Sequence, residues 1–198
     1  MKNLFFFDID TQKDFMLKTG ALYVPGAERI IAGLRRLFDF ADKNEISVIS
    51  TMDTHAADDP EFAEFPPHCI RKTDGWRKLD DTLFPRPLVF SNEPVDRNLA
   101  DCVRKSRQII VEKNTFDVFS NPVMERLTRA LPPRAIVFGV ATEYCVKKAV
   151  LGLRRLGVQT VVVSDVVRAI APKTEKEAID EMTAAGASFI PLANIFDI

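Results

Sequence analysis

Short apolar runs alternate with amphipathic segments along most of the 198-residue chain. The apolar runs predict six strands, at 4–9, 46–51, 107–113, 135–140, 160–167 and 188–192. Apolar residues with a three-to-four period predict helices between them, at 25–45, 94–106, 121–131, 143–156 and 174–186. Because strands that alternate with helices are joined by right-handed crossovers, this order predicts an α/β fold. Its three α/β/α layers would enclose a mainly parallel, six-stranded, Rossmann-like sheet.

The segment 53–92 breaks this alternation. It lacks periodicity, is rich in proline and contains both histidines of the chain, His55 and His68. A loop of this length in a compact domain is usually functional. The chain is long enough, and at 46% hydrophobic apolar enough, for one domain over 1–198. We therefore expect a single domain with one long loop that serves as a metal site and a lid.

Charge and composition exclude several classes of function. The net charge is −1, from 27 basic and 28 acidic residues, and without a basic stripe we expect no nucleic-acid partner. No apolar run approaches the roughly 18 residues that span a membrane, and the N-terminal segment lacks the features of a signal peptide. The three cysteines form no CxxC pair, which favours a reducing, cytoplasmic location.

Polar side chains follow four of the predicted strands at the same end. In an open parallel sheet, ligands bind outside the carboxyl ends of the strands. Asp10 is an acid, Lys113 is a base and Cys145 is a thiol. Asp53 and His55 are a carboxylate and an imidazole of the kind that binds a metal ion. Each of these residues alone is weak evidence, but their occurrence at one edge of the sheet predicts a common site.

Cys145 follows the strand 135–140 in the stretch "VFGVATEYCV". A cysteine inside the cell is most often a small buried hydrophobic residue. Here, however, the predicted helix begins near Thr142, so Cys145 lies in its first turn. Free amides and the helix dipole at that position favour the thiolate over the thiol and can bind an oxyanion. Gly139 allows the chain to turn closely before the helix.

A nucleophilic cysteine usually has a histidine as its base, but both histidines belong to a different pattern. Asp10 is the candidate base, because a buried carboxyl at a strand end can accept the thiol proton. Lys113 is the candidate group that stabilises the thiolate and the developing negative charge. The alternatives are a capping role for Asp10 and a solvated strand end for Lys113.

The histidines suggest a metal site. Asp53 and His55 are two residues apart, so in extended chain their side chains point in one direction. His68 follows thirteen residues later in "FPPHC", where two prolines stiffen the chain. A carboxylate with two imidazoles suits zinc, iron or manganese, and three protein ligands leave coordination positions open.

Taken together, "DIDTQKDF", "DTH", "FPPHC", "VEK" and "GVATEYCV" resemble the isochorismatase-like cysteine hydrolases over nearly the whole chain, and within them the nicotinamidase/pyrazinamidase branch. The resemblance implies a catalytic triad, a cis peptide, an oxyanion hole and a metal site. The triad would be Cys145, Asp10 and Lys113. The cis peptide would be Val140–Ala141, and the oxyanion hole the amides of Ala141 and Cys145. The metal ligands would be Asp53, His55 and His68, with Glu61 as the additional ligand of some members.

The chemistry implied by this resemblance is the hydrolysis of a small, aromatic carboxamide to an acid and ammonia through a Cys145 thioester. The implied cofactor is a divalent transition metal, zinc in the first place and iron or manganese otherwise. Oligomers are frequent in the family, so a homo-oligomer is an open expectation. Candidate substrate-binding residues are Phe15, Phe65, Val140 and Tyr144, although the two phenylalanines also fit an ordinary core.

The sequence departs from the nicotinamidase pattern on the substrate side. It has Thr54 and Ala56 where the family commonly reads D-W-H-P, and the segment 69–92 matches only around Lys72–Gly75. Amide hydrolysis is therefore better supported than nicotinamide as the substrate. The alternatives are an isochorismatase, a ureido or carbamoyl amidase and a non-catalytic binding module that keeps the fold. Cys145 argues against an isochorismatase. The two histidines of the metal site argue against both an isochorismatase and a ureido or carbamoyl amidase. The complete triad argues against a non-catalytic binding module.

Overall fold

The computed structural model describes residues 3–197 and has an α/β fold with one sheet. Within these residues the sheet has seven strands in the order β3-β4-β2-β1-β5-β6-β7, and every neighbouring pair is parallel. The strands are β1 Phe5–Ile9, β2 Val48–Asp53, β3 Leu88–Phe90, β4 Gln108–Lys113, β5 Arg134–Val140, β6 Gln159–Arg168 and β7 Ser188–Ile190.

Helices cover both faces of the sheet, as the sequence predicts. The α-helices are α1 Lys13–Met16, α2 Ile31–Lys43, α3 Leu99–Lys105, α4 Met124–Thr128, α5 Lys147–Arg155 and α6 Pro172–Ala184. Short 3₁₀ turns lie at Ala27–Ile30, Pro60–Ala63, Asp80–Thr82, Val118–Ser120 and Leu192–Ile195. No helix in the described part of the chain is long and apolar enough to cross a membrane.

The helices pack against the two faces of the sheet through two apolar cores. Alternate residues of β1 supply them: Phe5, Phe7 and Ile9 belong to one core, and Phe6 belongs to the other. This alternation is what a strand buried on both faces requires, because successive side chains point to opposite sides. The three-layer α/β/α architecture predicted from the sequence is therefore confirmed.

The sheet has seven strands rather than the predicted six. The additional strand is β3, which lies inside the segment 53–92 that the sequence predicts to be irregular. It contains only three residues and pairs with β4 at the edge of the sheet. Val89 in its middle is 49% exposed, whereas Phe90 is buried. Three residues are too few to show the alternation of buried and exposed side chains by which a strand is recognised in sequence.

The predicted helices are generally longer than the observed ones. The segment 25–45 begins with a 3₁₀ turn, and its α-helix starts only at Ile31. The segment 94–106 becomes helical only at Leu99, because the Asn98 side chain accepts a hydrogen bond from the Asp101 amide and caps the helix there. Where a helix begins or ends depends on such capping side chains. Hydrophobic periodicity alone therefore does not predict the bounds of the helix.

The strand order brings the polar strand ends together. β4, β2, β1 and β5 are consecutive neighbours in the centre of the sheet. The register places Asp53 directly opposite Lys113, at the carboxyl ends of β2 and β4. Since all four strands run in the same direction, the residues that follow them meet at one edge.

Gly139 allows β5 to lie close to β1 beside this edge. Its φ is +117°, and a Cβ atom at this position would lie 2.1 Å from the carbonyl oxygen of Ile9. A larger residue is therefore excluded by both backbone conformation and space. The glycine keeps the end of β5, and the turn that carries Cys145, next to Asp10.

Candidate active site

Cys145 lies in a π-helical turn, Thr142–Val146, between β5 and α5. The carbonyl of Ala141 accepts hydrogen bonds from the amides of Tyr144, at 3.1 Å, and Val146, at 3.2 Å. Cys145 is therefore in the first helical turn after the strand, as predicted, but the turn is of the π type and α5 starts only at Lys147. Single π turns inside helices are frequent at functional sites.

The backbone around Cys145 places two amides beside the thiol. Among residues 3–197, the amides of Ala141 and Cys145 make no hydrogen bond to a side chain or to another element, whereas those of Tyr144 and Val146 donate to the carbonyl of Ala141. The peptide bond Val140–Ala141 is cis, as the resemblance implies. Two amides beside a thiol can bind the oxygen of a tetrahedral intermediate.

Lys113 is fully buried and links the carboxylates to the thiol. Its Nζ lies 2.8 Å from Asp10 Oδ2, 2.6 Å from Asp53 Oδ1 and 3.6 Å from Cys145 Sγ. Burial disfavours its charge, but the two carboxylates outweigh this and hold the pKa of Lys113 well above its usual value. Lys113 is therefore an ammonium group at the centre of the site and not a solvated strand end.

Asp10 is held in a fixed orientation at the end of β1. Its φ is +47°, and its amide donates to Thr51 Oγ1 at 3.1 Å. The same hydroxyl donates to Asp10 Oδ1, while Oδ2 forms the 2.8 Å ion pair with Lys113. A carboxylate oxygen of Asp10 and the sulfur of Cys145 belong to a cluster of atoms within 4.8 Å of one another. The Asp10 carboxylate is therefore close enough to the thiol to accept its proton, and Oδ2 is the oxygen that Thr51 does not bind.

The electrostatics of the thiol differ from the sequence-based expectation. A helix N-terminus was expected to favour the thiolate, but the pKa of Cys145 is raised well above its usual value. Burial is the main cause, and the charges of Asp10 and Asp53 add to it against the opposing effect of Lys113. The resting group is a thiol, so attack requires a base that removes its proton.

Asp53, His55 and His68 form a buried cluster in which one donor atom from each lies within 4.8 Å of the others. His55 Nε2 lies 3.8 Å and His68 Nε2 lies 3.9 Å from Asp53 Oδ2. These separations suit ligands that are each about 2.0–2.2 Å from a shared zinc ion. The three residues expected to bind metal are thus brought together.

The outer nitrogens of both imidazoles lie beside oxygen atoms. His55 Nδ1 lies 3.0 Å from Asp59 Oδ2, and His68 Nδ1 lies 2.8 Å from the carbonyl oxygen of Pro66. Oxygen atoms in such positions orient metal-binding histidines, because they leave Nε2 facing the cluster. Both ring nitrogens of His55 are buried, and neither makes a hydrogen bond of regular geometry among residues 3–197. An unpaired buried nitrogen that faces a carboxylate and a second imidazole fits a metal ligand.

The charges of the cluster also suit a cation. Burial lowers the pKa of His55, but the nearby carboxylates of Asp53 and Asp59 outweigh this and raise it to about 9. Burial likewise raises the pKa of Asp53, but Lys113 and the histidines hold it well below its usual range. The pocket therefore attracts positive charge between Asp53 and the histidines, where a metal ion would replace the proton.

Glu61, the expected additional ligand, is placed differently. It lies in the 3₁₀ turn Pro60–Ala63, where its amide donates to Asp59 Oδ1. Burial and the charge of Asp53 raise the pKa of Glu61, so the Glu61 carboxyl is close enough to interact with the charge of Asp53. Its carboxylate is nevertheless not among the ligand atoms that converge within 4.8 Å.

Gln12 supports the candidate metal site and was not among the residues predicted from the sequence. Its Oε1 accepts from the amide of Asp53 at 2.7 Å, and its Nε2 donates to the carbonyls of Asp53 and Trp76 at 2.8 Å. Gln12 therefore fixes the backbone of the candidate ligand Asp53. The signal in the sequence is an uncharged polar side chain two residues after Asp10, where the chain leaves a buried strand.

A pocket of about 420 Å³ opens above Cys145. All four predicted substrate-binding residues line it: Phe15, Phe65, Val140 and Tyr144. Asp10, Asp53, His68, Ala141 and Cys145 contribute the polar and catalytic part of the wall. The sequence analysis missed the apolar residues Leu22, Val24, Phe116 and Ile170.

Aromatic contacts shape this pocket. The ring of Phe116 lies 5.6 Å from that of Phe65 and 5.2 Å from that of Tyr144, and the ring of Phe15 lies 5.5 Å from that of His68. These separations are typical of favourable aromatic pairs. The pocket therefore has a lining of aromatic rings that is shared with Cys145 and with His68 of the candidate metal site.

Sequence comparison assigns almost the whole chain to one family. The model of the isochorismatase domain matches residues 5–194. A nicotinamidase of Escherichia coli is 29% identical over an alignment that covers 94% of this chain and 93% of that protein. A nicotinamidase of Saccharomyces cerevisiae is 23% identical, with 84% of this chain and 88% of that protein covered.

Solved structures agree with this assignment of the fold. A pyrazinamidase of Pyrococcus horikoshii in complex with zinc superposes with a TM-score of 0.78, at 23% identity over 96% of this chain and 99% of that one. The yeast nicotinamidase bound to the inhibitor nicotinaldehyde has a TM-score of 0.76, at 21% identity over 95% and 99% of the two chains.

Proposed function

The chain belongs to the isochorismatase family, and we propose that it is a metal-containing cysteine amidohydrolase of the nicotinamidase type. It would convert a small aromatic carboxamide to the acid and ammonia. One observation carries this proposal: the Cys145 sulfur lies 3.6 Å from the Lys113 ammonium, in a cluster with Asp10, at the base of a pocket lined by aromatic rings.

The first half of the reaction forms a thioester. Asp10 Oδ2 accepts the proton of the Cys145 thiol, and the thiolate attacks the carboxamide carbon. The carbonyl oxygen becomes an oxyanion that the amides of Ala141 and Cys145 stabilise. The C–N bond then breaks as Asp10 returns the proton to the leaving nitrogen, which departs as ammonia.

The second half hydrolyses the thioester. A water molecule loses a proton to Asp10 and adds to the thioester carbon, so the same amides again face an oxyanion. The C–S bond breaks, the acid is released, and the proton on Asp10 restores the thiol. Lys113 remains charged throughout and offsets the negative charge that moves between Asp10 and the sulfur.

Asp53, His55 and His68 would hold the metal. When bound, a divalent metal ion supplies an open coordination position that can hold a ring nitrogen of the substrate. Two imidazoles and one carboxylate suit zinc, and they also suit iron or manganese. We propose zinc, with Glu61 outside the set of direct ligands.

The proposal is tested by ammonia release from a panel of small amides with the metal-loaded protein. We expect nicotinamide and related aromatic carboxamides to be hydrolysed with equimolar acid and ammonia, and ureido compounds to be poor substrates. Hydrolysis of ureido substrates alone would instead place the chain among the carbamoyl amidases. A protein that binds these amides without releasing ammonia would be a binding module.

The metal site makes a separate prediction. Elemental analysis of the wild-type protein should find close to one transition-metal ion per chain. The double variant His55→Ala, His68→Ala should lose it, because only Asp53 of the three ligands remains. The variant Glu61→Gln is the matched control and should retain the metal. A wild-type protein without metal after expression in zinc-supplemented medium would contradict the site.

The mechanism requires a reduced nucleophile. Cys69, Cys102 and Cys145 are all free thiols, which suits the proposed cytoplasmic location, where glutathione and thioredoxin keep thiols reduced. A homo-oligomer stays a prediction from family resemblance. Light scattering of the purified protein tests it directly.

A further inference from the structure

Glu143 makes contacts that the proposed reaction does not use. The residue is charged but only 7% exposed. Its Oε1 accepts hydrogen bonds from the amides of Ile170 at 2.9 Å and Ala171 at 3.1 Å, and from the hydroxyl of Thr174 at 3.0 Å. Three donors from a distant part of the chain thus converge on one oxygen of the turn that carries Cys145.

These donors belong to the segment that enters α6. The first amides of a helix have no partner inside the helix, and a side chain at the N-cap usually supplies one. Here the N-cap residue is Ala171, which has no capping side chain. Glu143 accepts from the amide of this N-cap residue, from that of Ile170 before it and from the hydroxyl of Thr174 in the first turn. A carboxylate is favourable at this positive end of the helix dipole. The carboxylate therefore ties the β6–α6 segment to the nucleophile turn.

The β6–α6 segment contributes a wall of the substrate pocket. Ile170 lines the pocket and is 43% exposed, unusually open for a large apolar side chain in this protein. Tyr144, the neighbour of Glu143 in sequence, lines the same pocket. The Glu143 carboxylate binds the backbone of Ile170, and Tyr144 is the next residue after Glu143. This contact therefore sets the distance between Ile170 and Tyr144 across the pocket.

We propose that Ile170 is a specificity-determining residue that packs against the ring of the substrate, and that Glu143 is the positioning residue that holds it there. Glu143 itself does not line the pocket, so it acts through Ile170. This inference rests on the proposed amidohydrolase function. It adds that Ile170 selects aromatic over aliphatic amides.

Kinetics with nicotinamide and acetamide test the proposal. In Glu143→Ala we expect KM for nicotinamide to rise about tenfold, the scale of a lost apolar contact, and to change more than kcat. The preference for nicotinamide over acetamide should fall accordingly, because acetamide has no ring to contact Ile170. Glu143→Gln keeps an oxygen acceptor and should restore most of the preference.

Glu181→Ala is the matched control. Glu181 also joins α6 to the start of α5, through a 3.2 Å ion pair with Lys147, but this pair lies at the surface away from the pocket. We expect its KM for nicotinamide to equal that of the wild type. An equal rise of KM in Glu143→Ala and Glu181→Ala would overturn the proposal, because it would indicate a general loosening of α6.

A double-mutant cycle separates positioning from a structural role. Glu143→Ala and Ile170→Ala should be non-additive in KM, since both remove the same contact with the ring. Additive effects, or a fall of kcat with unchanged KM in Glu143→Ala, would overturn the proposal. If Glu143→Ala does not fold, Ile170→Ala alone decides, because its side chain is partly exposed: KM should rise, and an unchanged KM would refute the inference.

Binding to a variant that lacks the nucleophile distinguishes this inference from the proposed function. Calorimetry should show that nicotinamide binds about tenfold more weakly to Cys145→Ala, Glu143→Ala than to Cys145→Ala. Equal affinities would refute the role of Glu143 whatever the turnover of the wild type. Failure of the wild type to release ammonia from any amide would instead contradict the proposed function.

Discussion

Replacing Cys145 with alanine should abolish ammonia release, with a loss of about 10⁴-fold or more, the scale seen when an enzyme loses its covalent nucleophile. The reason is that Cys145 is the proposed nucleophile, Asp10 is the proposed base, and Lys113 lies as an ammonium between the carboxylates of Asp10 and Asp53, where it cannot attack. The measurement is the steady-state rate of ammonia release at saturating substrate.

Two controls accompany this variant. Cys102 lies on α3, away from the pocket, so Cys102→Ala should keep wild-type activity. The circular dichroism spectrum and melting temperature of Cys145→Ala should stay close to those of the wild type, because only one sulfur atom is removed. Substantial ammonia release by correctly folded Cys145→Ala would rule out the thioester mechanism.

The second large effect is expected for Lys113→Met. This change leaves Asp10 and Asp53 buried without their shared cation, and breaking a buried ion pair by removing one partner typically costs about 3–5 kcal/mol. We expect a marked fall in the free energy of unfolding, measured by urea denaturation. We also expect kcat to fall about 10²–10³-fold, the effect of losing one group that stabilises developing negative charge.

Lys78→Met is a control of equal burial. Lys78 Nζ lies 2.8 Å from Asp8 Oδ2, and both side chains are as buried as those of Lys113 and Asp10. We expect a similar loss of stability but a much smaller loss of kcat, because Lys78 contacts neither the thiol nor the metal ligands. Equal losses of kcat at a temperature where both variants are folded would show that Lys113 matters only for stability.

The positions of the candidate catalytic residues follow from the sequence because parallel strands impose them. Once the alternation of strands and helices is recognised, Asp10, Asp53, Lys113 and Cys145 must lie at the same edge of the sheet. The in-register pairing of Asp53 with Lys113 is the structural expression of this rule. Proximity at a strand end is thus predictable from local sequence alone.

Other features depend on contacts between distant residues. The π turn around Cys145 differs from an α turn by one hydrogen-bond step, which hydrophobic periodicity cannot resolve. Glu143 and Ile170 are 27 residues apart, and their hydrogen bond exists only after α6 packs on the nucleophile turn. The strand β3 is too short for a sequence pattern, and pairing with β4 alone defines it.

The raised pKa of Cys145 has the same origin. The position of the thiol at a helix start is visible in the sequence and favours the thiolate. The larger effects are burial and the nearby charges of Asp10 and Asp53, which come from two other strands. The expected direction of the pKa shift of Cys145 was therefore wrong, whereas the roles of Cys145 as nucleophile and Asp10 as base stay predictions.

The most direct test of the account is a crystal structure of the metal-loaded protein with pyridine-3-carbaldehyde, the aldehyde analogue of nicotinamide. We predict a covalent bond between Cys145 Sγ and a tetrahedral carbon, with the oxygen bound by the amides of Ala141 and Cys145. The ring should lie against Ile170 and Phe15, with its nitrogen directed toward the metal held by Asp53, His55 and His68. A planar, unbonded aldehyde with its carbonyl directed away from these amides would contradict the account.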